Sequence, residues 1–412
     1  MNRIILVIIS MNVFHASGLF AQCDYTSPKY GFRSEKNILF GILPDYRNIN
    51  DSLFLDVYYP VGSPEIKKPL VIWAFGGGFI TGKREDFAQV CEYLAARGVV
   101  SATIDYRLGF DGPAPGLNPP FAYDKAEVLR AGYRGATDMK GAIRFLKAKE
   151  NQYGIDLDRV WVGGGSAGAM VAINAAFLDQ ESEKPKEAGN VSPIGAKPRL
   201  DLGPVDGLLN LNGQDSKVQG VFNIFGALID TNAVASSDRI AVFSYHQTGD
   251  PIVPCGSNTP YYPIPLIAQN YPIVHGSCSI TERLKHLGLD PKLWETWIYQ
   301  GTEHAVHDQD AVIDFFLSNA QPIWCASTTG VESPNAGLAV PRVVPNPAND
   351  RIHIQNWKGP YQYQIVNLAG QIYQQGFLEE ERGIAIPTLE PGYYLLHIQN
   401  GSAFHILKWI KQ

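Results

Sequence analysis

From Leu53 to His307 the chain alternates short, β-branched hydrophobic runs with longer stretches in which apolar residues recur every three or four positions. That alternation predicts an α/β fold, a mostly parallel sheet with helices on both faces. The expected strands are Leu53 to Tyr59, Leu70 to Ala74, Val99 to Ile104, Val160 to Val162, Val218 to Asn223, Ile240 to Tyr245 and Trp294 to Tyr299. Three of these are almost uninterrupted hydrophobic runs, as buried parallel strands require. Helical periodicity covers Asp86 to Arg97, Gly135 to Glu150 and Ser279 to Leu287, and Asp308 to Ser318 closes the domain with Val312, Phe315, Phe316 and Leu317 on one side. The pattern lapses from Ala326 into a Ser, Thr, Gly, Ala and Pro stretch that reads as a linker. Beyond it the period becomes two: Ile352 to Ile354, Tyr361 to Val366, Gln371 to Gln374, Tyr393 to Ile398 and Phe404 to Ile410 alternate and are separated by Gly, Asn and Pro turns, which predicts a small β-sandwich.

The N-terminus reads as an address rather than as structure. Arg3 precedes the apolar stretch Ile4 to Phe14, and Gly18 to Ala21 offers small residues for cleavage, so residues 1–22 are expected to be a signal peptide. The stretch is shorter than the roughly 20 apolar residues of a membrane-spanning helix, and no stable membrane span is expected elsewhere. A lipid on Cys23 is disfavoured because Gln22 stands where a lipoprotein signal carries a small residue. The expected division is therefore 1–22 signal peptide, 23–325 catalytic α/β domain, 326–342 linker and 343–412 C-terminal sandwich.

Length and composition fit a globular protein of more than one domain: 412 residues, 45% hydrophobic and 18% charged. A net charge of -6 excludes nucleic acid as a partner, since such surfaces concentrate Lys and Arg. Export implies an oxidising compartment in which the five cysteines can pair. Cys255 and Cys278 bracket a polar, Pro-rich excursion, and a bridge there would contribute roughly 3 kcal/mol by loop closure. Cys91 falls on the apolar face formed with Phe87, Val90 and Leu94 and reads as a buried free thiol. Cys23 and Cys325 are left without an assigned partner.

The strongest chemical signal is Val160-Trp161-Val162-Gly163-Gly164-Gly165-Ser166-Ala167-Gly168, a buried strand that turns into a helix through Gly164-x-Ser166-x-Gly168. Such a nucleophile elbow needs its glycines because the serine sits on a sharp turn pressed against a neighbouring strand and helix. The amide of Ala167, at the start of the helix, is free to face a developing oxyanion. The same residues match the spacing of a dinucleotide fingerprint, Gly163-x-Gly165-x-x-Gly168. The stretch that follows, Asp179 to Lys197, is polar and charged, where that motif demands a second strand ending in an acid. A plain Gly-rich turn with a helix-capping serine is the bland alternative. Ninety residues earlier, Val71-Ile72-Trp73-Ala74-Phe75-Gly76-Gly77-Gly78 is a second buried strand breaking into glycines. The amides of Gly77 and Gly78 are the expected partners of Ala167 in an oxyanion hole.

Residues 36 to 320 resemble the α/β-hydrolase esterases related to hormone-sensitive lipase and to bacterial acetyl-xylan and feruloyl esterases. The likeness rests on Leu55-Asp56-Val57-Tyr58-Tyr59-Pro60, the triple-glycine loop, Asp105-Tyr106-Arg107, Tyr153-Gly154-Ile155-Asp156, the elbow, and Gly249-Asp250-Pro251-Ile252-Val253-Pro254. It implies a serine esterase with Ser166 as nucleophile, Asp250 at the position where the family carries its acid, and His304 in the Gly-x-x-His loop that follows the last strand. His307 competes with His304 for the role of base, and Asp250 before Pro251 could simply begin a turn. Phe75 departs from the family, which usually has His before the glycines; altered packing near the acyl pocket is the expected consequence. No metal or organic cofactor is needed by an acyl-enzyme mechanism, and His304-x-x-His307 with Asp308 lacks the further ligands of a closed zinc site. Glu303 is expected to be a solvated loop carboxylate and His246 a satisfied loop histidine. The segments Leu108 to Ala126 and Cys255 to Cys278 are expected to line the substrate entrance.

The C-terminal region, through Val344-Pro345-Asn346-Pro347, Asn367-Leu368-Ala369-Gly370, Leu389-Glu390-Pro391-Gly392-Tyr393-Tyr394 and Lys408-Trp409-Ile410-Lys411, resembles the sorting domain of type IX secretion cargo. That likeness implies the type IX secretion machinery as a partner, export through the periplasm, and a secreted or cell-surface destination. Two function classes stay open: an esterase, acting on small acyl esters or on acetylated or feruloylated polysaccharide, and a catalytically silent hydrolase fold used in adhesion.

Overall fold

The structure is a computed structural model that describes residues 23–110, 121–122, 124–194, 197–328, 342–355, 360–367, 371–378, 383–400 and 403–412. The expected signal peptide, residues 329–341 of the expected linker, and most of the segment from Leu108 to Ala126 lie outside the described residues. The chain divides into two compact units at residues 329 and 330.

Among the described residues, eight strands build the large sheet of the first unit: β1 (Gly31–Pro44), β2 (Asn50–Val61), β3 (Lys68–Ala74), β4 (Val100–Ile104), β5 (Ile155–Gly165), β6 (Gly220–Ile224), β7 (Ala241–Gln247) and β8 (Trp294–Tyr299). Their order is β1-β2-β4-β3-β5-β6-β7-β8. The pairs from β4 to β8 are parallel, while β1 and β2 form an antiparallel hairpin along one edge. All seven expected strands are present. The eighth, β1, was not legible: Phe32, Leu39 and Ile42 are exposed on it, and register shifts after Glu35 and Leu39 break the alternation that marks a half-buried strand.

Successive residues of β3 serve opposite faces. Leu70, Ile72 and Ala74 join one core with Ile104, Ala136, Met139 and Val171. Val71 and Trp73 join the other with Trp161, Phe222, Phe243 and Phe316. The helices that cover these faces are α1 (Ala88–Ala95), α2 (Lys125–Lys147), α3 (Ala167–Phe177), α4 (Ser277–His286) and α5 (Gln309–Thr328). Helix α2 starts ten residues before its expected start, capped by the Asp124 side chain on the Ala126 amide at 2.9 Å. Helix α5 continues past its expected end and through Pro322 to Thr328, so residues 326–328, expected to be linker, are helical.

The fold switches direction at β3: the chain places β4 on one side of it and returns to place β5 on the other. Such a crevice at the carboxyl ends of the strands is where open α/β sheets hold their ligands. Here it brings the residues that follow β3 beside those that follow β5, with Ala74 paired with Gly164.

Among its described residues the second unit has two antiparallel sheets. One contains Arg342–Val344, Arg351–Gln355 and Ile384–Ala385, the other Ile372–Leu378, Tyr361–Asn367, Gly392–Asn400 and Ala403–Lys411. Ile352, Ile365, Leu396, Ile398 and Trp409 share its core, as in a small sandwich.

Cys255 pairs with Cys278 as expected, and Cys23 pairs with Cys325 across 302 positions. A cysteine so bonded has no thiol to carry a lipid. The remaining thiol, Cys91, is completely buried, and burial pushes it up to about 12. The native protein is therefore expected to release no colour with a thiol-reactive chromogen, and one thiol per chain once unfolded without reductant. A reactive thiol before unfolding, or three after it, would contradict this arrangement.

Candidate active site

Strand β5 ends in Gly163, Gly164 and Gly165, and the chain turns at Ser166 with φ 55° and ψ -123° before α3 begins. A non-glycine residue in that conformation is strained, and the packing around it is what holds it there. A Cβ on Gly164 would lie 2.4 Å from the carbonyl carbon of Gly168 and 2.6 Å from the Ala74 carbonyl oxygen; one on Gly168 would lie 2.1 Å from the same oxygen. The elbow thus sits directly on the end of β3. From the other side, a Cβ on Gly76 would meet the Gly165 carbonyl at 3.0 Å and the Ser166 side chain at 3.3 Å.

After Gly76 the loop turns back on itself, the Gly77 carbonyl accepting from the amides of Ile80 and Thr81. Gly77 has φ 116° and Gly78 φ 62°, values that favour glycine. Their amides and that of Ala167 donate no hydrogen bond within the described residues, and all three residues line one cavity with Ser166 and His304.

Ser166, Asp250 and His304 come together although they follow three different strands. The Ser166 hydroxyl donates to His304 Nε2 at 2.8 Å, and His304 Nδ1 donates to Asp250 Oδ2 at 2.6 Å. Asp250 is buried, and its other oxygen accepts from the amides of Ile252 and Val253 at 2.8 and 3.0 Å. Those two amides fix the carboxylate and leave one oxygen for the imidazole. The Phe225 ring, on a residue with φ 42°, lies against the imidazole with centroids 4.5 Å apart.

Two braces were not legible in the sequence. Gln247, the last residue of β7, accepts from the Glu303 amide and donates to the Ala305 carbonyl, both at 2.9 Å, so it grips the loop on either side of His304. A Cβ on Gly301 would lie 2.1 Å from the Gln247 Oε1, which explains the glycine in that loop. Behind the acid, His246 is completely buried on β7 rather than in a loop. Its Nδ1 meets the Ser277 hydroxyl and its Nε2 the Val253 carbonyl, each at 2.9 Å. Asn223 completes this buried network, donating to Ser244 and Ser277 and accepting from the Gly226 amide. A run of polar residues inside apolar strands was the available signal.

Phe75 is buried against Tyr106, ring centroids 4.6 Å apart, and is absent from the cavity lining; the Tyr106 hydroxyl donates to the Phe75 carbonyl at 2.9 Å. Its ring therefore supports, from behind, the glycine loop that lines the cavity. His307 is taken up by the Tyr245 hydroxyl at 2.9 Å and stacks on Tyr299 at 4.0 Å. Among the described residues no group of His, Cys, Asp and Glu is placed to hold a metal ion. Glu303 is exposed. The excursion bounded by Cys255 and Cys278 supplies Pro260, Tyr261, Tyr271 and Val274 to the cavity.

The cavity has a volume of about 510 Å³ and is walled mainly by apolar side chains, among them Phe79, Phe87, Met170, Ile224 and Ile313.

Residues 21–185 match the Carboxylesterase family, residues 134–254 match BD-FAE, and residues 342–412 match a secretion system C-terminal sorting domain. Fumonisin B1 esterase of Sphingopyxis macrogoltabida is 32% identical over 119 residues, 29% of this chain and 22% of that protein. Carboxylesterase 3 of Homo sapiens is 31% identical over 140 residues, 34% of this chain and 23% of that protein. This chain thus spans under a quarter of the length of these curated relatives. Among solved structures, Thermogutta terrifontis esterase 2 aligns over 73% of this chain and 97% of its own at 17% identity, with a TM-score of 0.44. The sorting domain marks the chain for secretion and attachment at the cell surface, and among the described residues no helix is long and apolar enough to cross a membrane.

Two outcomes follow from the geometry. Gly168→Ala puts a methyl group into the Ala74 carbonyl and is expected to destabilise the fold by about 3 kcal/mol or more, measured by urea unfolding; a loss below about 1 kcal/mol would mean that the elbow gives way easily. Burial holds His246 neutral and lowers its pKa from 6.5 to about 4. Below pH 6.5 the unfolded chain therefore takes up a proton that the folded one refuses, and stability falls with pH down to about 4. Between pH 7 and 4.5 this residue alone should remove about 2 to 3 kcal/mol, so His246→Gln should flatten the pH dependence of unfolding by that amount. Parallel curves for the two proteins would refute it.

Proposed function

We propose that this chain is a secreted carboxylic-ester hydrolase that works through an acyl-enzyme on Ser166. The observation that carries the reading is the continuous hydrogen-bonded chain Ser166–His304–Asp250 beside three unoccupied amides in one cavity. His304 Nε2 takes the proton from Ser166 as the oxygen attacks the ester carbonyl, and Asp250 keeps the proton on Nδ1 and stabilises the imidazolium that forms. The amides of Gly77, Gly78 and Ala167 receive the oxyanion, each contributing about 3 kcal/mol by the measure of single-donor deletions elsewhere. The imidazolium then protonates the departing alcohol. Water, deprotonated by the same imidazole, releases the acid and restores Ser166.

The mainly apolar walls, in which Asp86 is the one acidic side chain among the described lining residues, disfavour an anionic ester, because a negative group placed there would lose its hydration without a counter-charge. Residues 23–325, with the three further residues of α5, are the catalytic domain on this reading, residues 1–22 the signal peptide, and 343–412 the module that engages the type IX machinery. The relatives named above carry esterase names, which supports the same chemistry.

An organophosphonate should label the parent protein on Ser166 and leave Ser166→Ala unlabelled, while turnover of p-nitrophenyl butyrate drops on the order of 10⁴-fold or more in that variant. A folded parent that neither reacts nor turns over would favour the silent, adhesive alternative.

A further inference from the structure

Tyr261 takes no part in the chemistry above, yet its placement is strongly constrained. It lies in the excursion closed by the Cys255–Cys278 bridge and adopts φ 59°, a region that costs a non-glycine residue. Its amide donates to the Ile252 carbonyl at 3.0 Å and its carbonyl accepts from the Ile264 amide at 2.8 Å. The ring is held edge-on between Phe121 and Tyr271, with centroids 4.9 and 5.0 Å away. Ile252 belongs to the turn whose amides hold Asp250, so Tyr261 is tied to the acid loop.

All these restraints aim one polar atom at the cavity. The Tyr261 hydroxyl lies 3.8 Å from where a Cβ on Gly78 would be, next to the glycine loop, and has no hydrogen-bond partner among the described residues. Its neighbour Tyr271 is different: that hydroxyl accepts from the Ala122 amide at 3.1 Å. Burial raises the Tyr261 phenol further above its ordinary range, so it remains a donor. The wall is mainly apolar, with Thr81, Asp86 and Gln309 among its polar members; a plain alkyl ester lying against Tyr261 would displace water from this hydroxyl and leave it unpaired, whereas a ligand with an oxygen at that point would satisfy it.

We propose that Tyr261 determines specificity by donating a hydrogen bond to a second oxygen of the substrate, an ether, hydroxyl or carbonyl group near the scissile ester on the side of Gly78. The preferred substrates are thus oxygen-substituted esters rather than plain alkyl esters. This rests on the esterase reading, and it refines which esters are taken.

The test compares isosteric pairs in the parent protein and in Tyr261→Phe: p-nitrophenyl methoxyacetate against p-nitrophenyl butyrate for the acyl part, and 2-methoxyethyl acetate against butyl acetate for the alcohol part. Differences in intrinsic reactivity cancel when the kcat/KM ratio within a pair is compared between the two proteins. The ratio should fall about tenfold in Tyr261→Phe for at least one pair, with the plain ester of that pair little changed. A purely structural role would lower both members together, and unchanged ratios in both pairs, or an equal loss in both members, overturn the proposal. A parent that turns over none of the four esters removes the esterase reading alone; the same within-pair ratios, read from calorimetric affinities, then decide the role of Tyr261.

Discussion

Everything at the site depends on how closely two backbones can approach where β3 and β5 end. With Ala74 opposite Gly164, the carbonyls of Ala74 and Phe75 press on Gly164 and Gly168 at distances that admit no Cβ. That contact forces the turn at Ser166 into its strained conformation and puts its hydroxyl above the sheet. It also sets the glycine loop after β3 against the Gly165 carbonyl, so the attacking oxygen and the free amides are positioned by one contact. Spread over two loops packed independently, they would need separate restraints to reach the same accuracy.

The acid and base are joined by a second piece of lacing, between the ends of β7 and β8. The Thr248 amide donates to the Tyr299 carbonyl and the Gly249 amide to the Gly301 carbonyl, and Gln247 spans His304 from both sides. Adjacent parallel strands bring these loops side by side, and each loop then serves as the template for the other. The imidazole consequently has little freedom to turn away from Ser166, with Phe225 against its face and Asp250 at its far nitrogen.

Much of this was legible in the sequence where it depended on steric necessity or on burial. Glycines at 164 and 168 are demanded by close approach, and the unbroken apolar runs Leu70 to Ala74 and Val160 to Val162 announce strand segments buried on both faces. Residues whose role depends on a partner far along the chain were not legible. Gln247 looks like any polar strand end until the loop around residue 304 is placed beside it, and the pairing of Cys23 with Cys325 needs the N-terminal segment docked against α5. Phe75 was legible only in part for a related reason: its position beside the glycines is local information, but the direction of its ring is set by Tyr106, thirty-one residues on. The edge strand β1 escaped because an exposed, bulged strand carries no hydrophobic period.

The polar network behind Asp250 explains how a carboxylate is tolerated in so apolar a region. A buried charge is costly unless fixed dipoles replace its lost hydration, and here two amides and the His304 N–H do so directly. His246 stands 3.6 Å from the same carboxylate, close enough for an imidazolium to compete with His304 for it. Its Nε2 is instead committed to the Val253 carbonyl and its Nδ1 to Ser277, and burial keeps the ring neutral until well into acid. A neutral ring here braces the acid turn without drawing on its charge, so the negative charge of Asp250 is directed toward the one histidine that faces Ser166. The second histidine beside the acid thus supports the polarity of the hydrogen-bonded chain by staying uncharged, and its loss of neutrality at low pH would disturb the turn and the charge relation together.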